Sequence, residues 1–279
     1  MSSTSVFKAP QWISSLYAKY PLVVLPQEDA LEWKRSASSP YTLWIHPPTV
    51  FNSPHYREWA SASPASLRAQ LLFLLRAVPI RVQPWSNEEA APKGKLPTLH
   101  VIEENRLVAA DDIRQWLDST HPLQGKSAKL HGMPNQEAYD EALAIAQLVL
   151  VRLLPAILVS KSETSADIAT LLPQPPALVA GLTTPLPASF TGDDRTIDGV
   201  ILVESGIQAL ETLKELVKPE QWALQAKTPT PLDALIASHL YCIYGLSSVS
   251  PLRESLDDTP ELGAYVDRVL DFAASALQQ

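Results

Sequence analysis

Few side chains in this chain of 279 residues have both the type and the setting to do chemistry. The one cysteine, Cys242, lies inside an apolar run and reads as a small buried hydrophobe. Alone, it can form neither an internal disulfide nor a paired-cysteine metal knuckle. That fits a reducing compartment and excludes a disulfide-stapled secreted module. His46, His55, His100, His121, His131 and His239 show no metal-ligand spacing and read as surface or satisfied core histidines. Asp193-Asp194 and Asp257-Asp258 read as solvated charges at loops or helix starts. No glycine loop suited to phosphates and no nucleophile elbow is present. Ser63 is the hydroxyl with the most suggestive position. It precedes Pro64 at a helix start, where the plainer reading is an N-cap. The sequence therefore points to no metal, no cofactor and no catalytic set.

Composition narrows the partners. The net charge of -8 argues against a general nucleic-acid or anionic-membrane binder, both of which need a cationic footprint. The charge is uneven: residues 1–125 carry 12 basic and 11 acidic side chains, residues 126–279 carry 10 and 19. A neutral half followed by an acidic one suggests two domains. The 25 prolines with only 9 glycines make stiff punctuation rather than flexible linker. The longest apolar stretch, 142–159, contains Gln147, Arg152 and Pro155. A central arginine costs a spanning helix roughly 2.5–3.5 kcal/mol, so this stretch reads as a buried core helix. The opening lacks the pattern of a signal or transit peptide, and the ending DFAASALQQ does not read as a tail anchor.

The elements that must position any site follow from periodicity and punctuation. Trp12, Leu16, Tyr17 and Tyr20 fall, with Ile13, on one helical stripe near the start. That stripe either docks on the chain's own body or anchors a partner, so residues 1–40 are read as an N-terminal docking extension. Strands are expected at 41–46, 80–83, 98–102 and 106–108, with helices at 63–77 and 111–117. The order β-α-β-β-β-α is a thioredoxin-like plan, assigned to residues 41–125. Residues 126–279 read as an all-helical domain, with helices near 135–158, 197–217, 230–245 and 260–276. A proline-rich insertion, 160–196, separates the first two. Thr230 before Pro231, with Asp233 three residues on, forms a reciprocal capping box.

A thioredoxin-like half followed by a helical half resembles the glutathione-transferase architecture. SPASLRAQLLFLLRAVPIRV resembles that superfamily's first helix and second strand, and KGKLPTL resembles its cis-proline loop, which implies a cis bond before Pro97. TPLDALIASHLY resembles its capped core helix. Within the superfamily, RVQPWSNEEAAPKGKLPTLHV and KTPTPLDALIASHLYCIYGL are similar to the metaxins, as is the closing TPELGAYVDRVL. The match covers roughly 63–117 and 227–270.

The metaxin resemblance implies a peripheral subunit of the mitochondrial sorting and assembly machinery, on the cytosolic face of the outer membrane. Its implied partners are a β-barrel core subunit, a second metaxin-like subunit and β-barrel precursors, whose sorting signal such a subunit would help receive. It implies no enzyme activity. The superfamily's own activity, glutathione-dependent transfer, needs a hydroxyl or thiol beside the first strand and a polar pair at the second helix start. Ser63 lies well beyond that strand, and Ala109-Ala110 stands where the polar pair would be. Two alternatives stay open: an active glutathione transferase, or a transferase-like scaffold in a cytosolic translation complex. Six of the seven tryptophans (Trp12, Trp33, Trp44, Trp59, Trp85 and Trp116) lie in the first 116 residues, either as core or as interface anchors.

Overall fold

The computed structural model describes residues 39–123, 128–161 and 198–277. Trp12, Leu16, Tyr17, Tyr20 and nearly all of the 160–196 insertion lie outside the described residues.

Four strands form one sheet among the described residues, in the order β2-β1-β3-β4. They are β1 (Tyr41–Ile45), β2 (Arg81–Pro84), β3 (Thr98–Val101) and β4 (Arg106–Val108). β2 runs parallel to β1, while β3 and β4 pair antiparallel. A parallel pair needs a crossover, and α1 (Pro64–Leu74) supplies it. α2 (Ile113–Thr120) follows β4 through a 3-10 turn at Ala110–Asp112. The expected β-α-β-β-β-α order is what forms. Alternation along β1 sends Leu43 and Ile45 into the core and Thr42 and Trp44 to the opposite face.

The second half is helical. α3 (Gln136–Leu148) continues through a π-helical turn at Val149–Leu153 into α4 (Leu154–Ser160). The π turn admits Pro155, which lacks the N–H that an unbroken ladder would use at that point. This run is long and apolar enough to cross a membrane by length and composition. One face of it, including Ile145, Val149, Leu153 and Ile157, is buried in the protein core. α5 (Gly199–Leu216) packs on α4. α6 (Pro231–Tyr244) is buried along its whole length, and α8 (Pro260–Leu277) closes the bundle. α7 (Pro251–Asp257) was not among the expected helices.

The described residues from 39 onward form one compact unit. The thioredoxin-like and helical halves meet where α1 packs on α6 and α8. The eighteen-residue connection from β1 to α1 is bolted across that seam. The Arg57 guanidinium lies 3.0 Å from Asp267 and 2.9 Å from Asp271, and His55 Nδ1 lies 2.8 Å from Asp267. The Tyr241 hydroxyl donates to the Arg57 carbonyl at 3.1 Å and accepts the Arg57 N–H at 3.2 Å.

Candidate functional site

The Leu96–Pro97 bond is cis. Pro97 sits at the wall of a cavity of about 310 Å³, with Ala65, Arg68, Ala69 and Leu72 of α1 on one side and Ala110, Asp111, Ile113 and Arg114 on the other. The sequence placed Pro97 and Ala109-Ala110 at such a place, and the structure brings Pro97 and Ala110 together. Ser63 is not among the walls. The expectation that its hydroxyl caps α1 is corrected: Ser63 occupies the N-cap position with extended backbone, and its side chain makes no capping bond. The approach to α1 is fixed by other groups. Gln70 accepts the Ser61 N–H and donates to the Trp59 carbonyl, each at 3.0 Å, and the Ser61 hydroxyl accepts the Ser63 N–H at 3.3 Å.

The two acidic residues opening the α2 region are neutralised from the proline loop. Lys93 Nζ stands 3.2 Å from Asp112 and 3.7 Å from Asp111. Ala110 lines the cavity and Ala109 is buried behind it, and neither side chain can hydrogen-bond a ligand. The polar side chains on the cavity wall are Arg68, Asp111 and Arg114.

His46 makes a contact set that the sequence did not show. Its Nδ1 lies 3.0 Å from the Ser66 hydroxyl, and its Nε2 hydrogen-bonds Glu88. Serine, histidine and carboxylate in line resemble the elements of an acyl-transfer set. Ser66, however, is fully buried, and its oxygen also accepts the His46 backbone N–H at 3.2 Å. No substrate carbonyl can reach that oxygen. The line latches the end of β1 to α1 and to the turn after β2.

Cys242 is buried, and its thiol donates to the Ala62 carbonyl at 3.4 Å. Burial pushes its pKa up to about 12, which leaves almost no thiolate at neutral pH. His239 is a core histidine whose Nδ1–H donates to the Leu235 carbonyl at 2.8 Å. Burial lowers its pKa to about 4, so it is neutral. Thr230 and Asp233 form the expected box. The carboxylate accepts the Thr230 N–H and hydroxyl, each at 2.7 Å, and the Asp233 N–H donates back to the Thr230 hydroxyl at 3.4 Å. It also accepts the Tyr265 hydroxyl at 2.6 Å and the Ala223 N–H at 2.8 Å. Among the described residues no group of three or more histidines, cysteines and carboxylates is placed to hold a metal ion.

The outer face of the sheet carries an apolar hollow of about 260 Å³. Trp44 and Trp85 meet edge to face at 5.4 Å, and Leu96, Thr98 and Leu107 complete much of the lining. Between β2 and β3 the described chain forms only two short 3-10 turns, Glu88–Ala90 and Pro92–Gly94, at the hollow's rim. The register pairs Trp44 with Thr98 and His100 with Leu107, which sets these side chains on one face.

No protein family's sequence profile matches the chain, and no curated protein matches it. Solved structures do match. A glutathione S-transferase from Methylobacterium radiotolerans, in complex with glutathione sulfonate, shares 15% identity over 82% of this chain and 89% of its own, with a TM-score of 0.50. Glutathione S-transferase III in its apo form shares 13% identity over 86% and 96%, with a TM-score of 0.50. Glutathione transferase Omega 3C from Trametes versicolor shares 10% identity over 89% and 93%, with a TM-score of 0.52. The fold is glutathione-transferase-like. A small mixed sheet joined to a helical bundle is the shared frame, as the element order predicted. Identities this low carry the architecture and nothing about the reaction.

Proposed function

We propose that this glutathione-transferase-like chain is a non-catalytic docking subunit. It would be a peripheral member of the sorting and assembly machinery on the cytosolic face of the mitochondrial outer membrane. The observation that carries the docking reading is the apolar hollow on the sheet's outer face, where Trp85 is 42% and Leu107 51% exposed. Large exposed apolar side chains grouped in a concavity are suited to burying a partner's side chains. The non-catalytic half of the reading rests on Ala109-Ala110, which offer no side-chain hydrogen bond to a γ-glutamyl group, and on Ser63, which is not among the walls of the cis-proline cavity. The metaxin-like wording of 63–117 and 227–270 supplies the machinery. Its partners would be the β-barrel core subunit, a second metaxin-like subunit and incoming β-barrel precursors.

The deciding experiment is native electrophoresis of detergent-extracted mitochondrial outer membranes, with identification of the proteins that co-migrate with this chain. Recovery with an outer-membrane β-barrel protein is expected. Recovery only as a free monomer would overturn the reading. Calorimetry with millimolar glutathione should show no saturable heat; binding abolished by Ser63→Ala would revive the transferase alternative.

A further inference from the structure

Arg68 is the anomalous charge of the molecule. It lies on α1 in an otherwise apolar segment, between Leu67 and Ala69, both buried. Among the described residues it has neither an ion pair nor a hydrogen bond, and its Nε is buried without a partner. Its guanidinium pKa is lowered, first by burial and then by the like charge of Arg114. A half-buried cation facing a second cation is costly unless something of opposite charge joins them. Among the described residues no carboxylate pairs with Arg68. Asp118 already takes Arg76 at 2.5 Å, and stands 3.8 Å from both Arg114 and His131. Asp111, at the cavity mouth, is exposed and paired with Lys93.

The two arginines also sit at a junction. Both line the 310 Å³ cavity beside Pro97, and both line a second cavity of about 110 Å³ between α1, α3 and α6. The second is largely apolar, with Met133, Ala142, Ala146 and Leu235 among its walls. It opens along α3 and the π turn at Leu143 and Leu150, which are 50% and 39% exposed. A cationic pair at one end and an apolar cleft at the other define an amphiphile with an anionic head. Each guanidinium presents a planar fork that binds two oxygens. A carboxylate brings a single charge to two cations. A phosphate monoester has three free oxygens and close to two charges, enough for both.

We propose that Arg68 and Arg114 bind the phosphate of an amphiphile whose apolar part enters the cleft between α1, α3 and α6. Glutathione does not fit this description, because it lacks an apolar body. The site is independent of which machinery the chain joins.

The test is calorimetric titration of the full chain with three probes: inorganic phosphate, dihexanoyl phosphatidic acid below its micellar concentration, and dihexanoyl phosphatidylcholine. The phosphatidic acid should bind saturably, at least tenfold tighter than either of the others. That ranking separates a lipid headgroup from free phosphate. Arg68→Gln should weaken phosphatidic-acid binding at least tenfold while melting at or above the parent's temperature, since it removes an unpaired charge. Absence of saturable binding, equal affinity for all three probes, or unchanged affinity in Arg68→Gln would overturn the proposal. So would a variant that melts clearly below the parent, which would make Arg68 a structural residue.

Discussion

His239 and Asp233 show how much one buried polar group contributes to this fold, and in which direction pH acts on it. His239 is neutral in the folded chain, with its pKa lowered to about 4 by burial, against 6.5 when exposed. Between those values the unfolded chain binds a proton that the folded chain refuses. Stability from this group is therefore complete above about pH 6.5 and is lost as pH falls toward 4. Denaturant titrations at pH 7 and pH 5 should differ by about 2 kcal/mol more in the parent than in His239→Gln. Equal pH slopes would show that the imidazole reaches solvent. Asp233 marks what was legible at this scale. Its box with Thr230 could be read from a spacing of three, because a helix start is a local object. The Tyr265 and Ala223 bonds to the same carboxylate come from elsewhere in the bundle, and no local pattern announces them. Arg68 is the opposite case: a lone arginine in an apolar helix was visible in SLRAQLLFLL, but only the absence of a partner in three dimensions gives it meaning.

At the scale of elements, punctuation carried most of the reading. Ser63-Pro64 and Thr230-Pro231 marked the starts of α1 and α6, and Ser250-Pro251 marks α7 by the same signal, although that helix was not expected. A seven-residue helix is too short for periodicity to declare it. The fit between α4 and α5 was not readable at all. Gly206 on α5 lies so close to α4 that an added Cβ would fall 2.4 Å from the Ala156 Cβ and 3.2 Å from Leu252. Neither α4 nor α5 names the other as its neighbour in sequence. Gly206→Ala should therefore destabilise the protein by about 1 kcal/mol or more. Overpacking costs roughly 1–3 kcal/mol, against a helix-propensity gain of up to about 1 kcal/mol. Thermal melts of Gly206→Ala, Ala156→Gly and the double variant would measure the coupling. The double variant should recover part of the loss, and strict additivity would mean that the two helices can separate at no cost.

At the scale of the whole molecule, the question is whether a thioredoxin-like half and a helical half behave as two bodies or one. Composition suggests two, since net charge is near neutral before residue 125 and strongly acidic after it. Packing says one. Leu67 and Leu71 of α1 are fully buried in the same core cluster as Leu235, Ile236 and Ile243 of α6. Neither helix can expose that face without uncovering large apolar area, at roughly 25 cal/mol per Å². The Arg57, Asp267 and Asp271 contacts add little singly, because they are partly exposed. Their value lies in fixing the long connection after β1 across the seam. Two optical probes report the halves separately. Six of the seven tryptophans lie in the first 116 residues and Trp222 is the seventh, so fluorescence weights the first half. Far-ultraviolet dichroism weights the helices, most of whose described length falls after residue 136. The two thermal curves should coincide, and the calorimetric and van't Hoff enthalpies should agree. Midpoints separated by more than a few degrees would mean that the halves unfold independently. The α1–α6 contact would then be a docking interface rather than a shared core, and the seam built by Arg57 and Tyr241 would be a hinge.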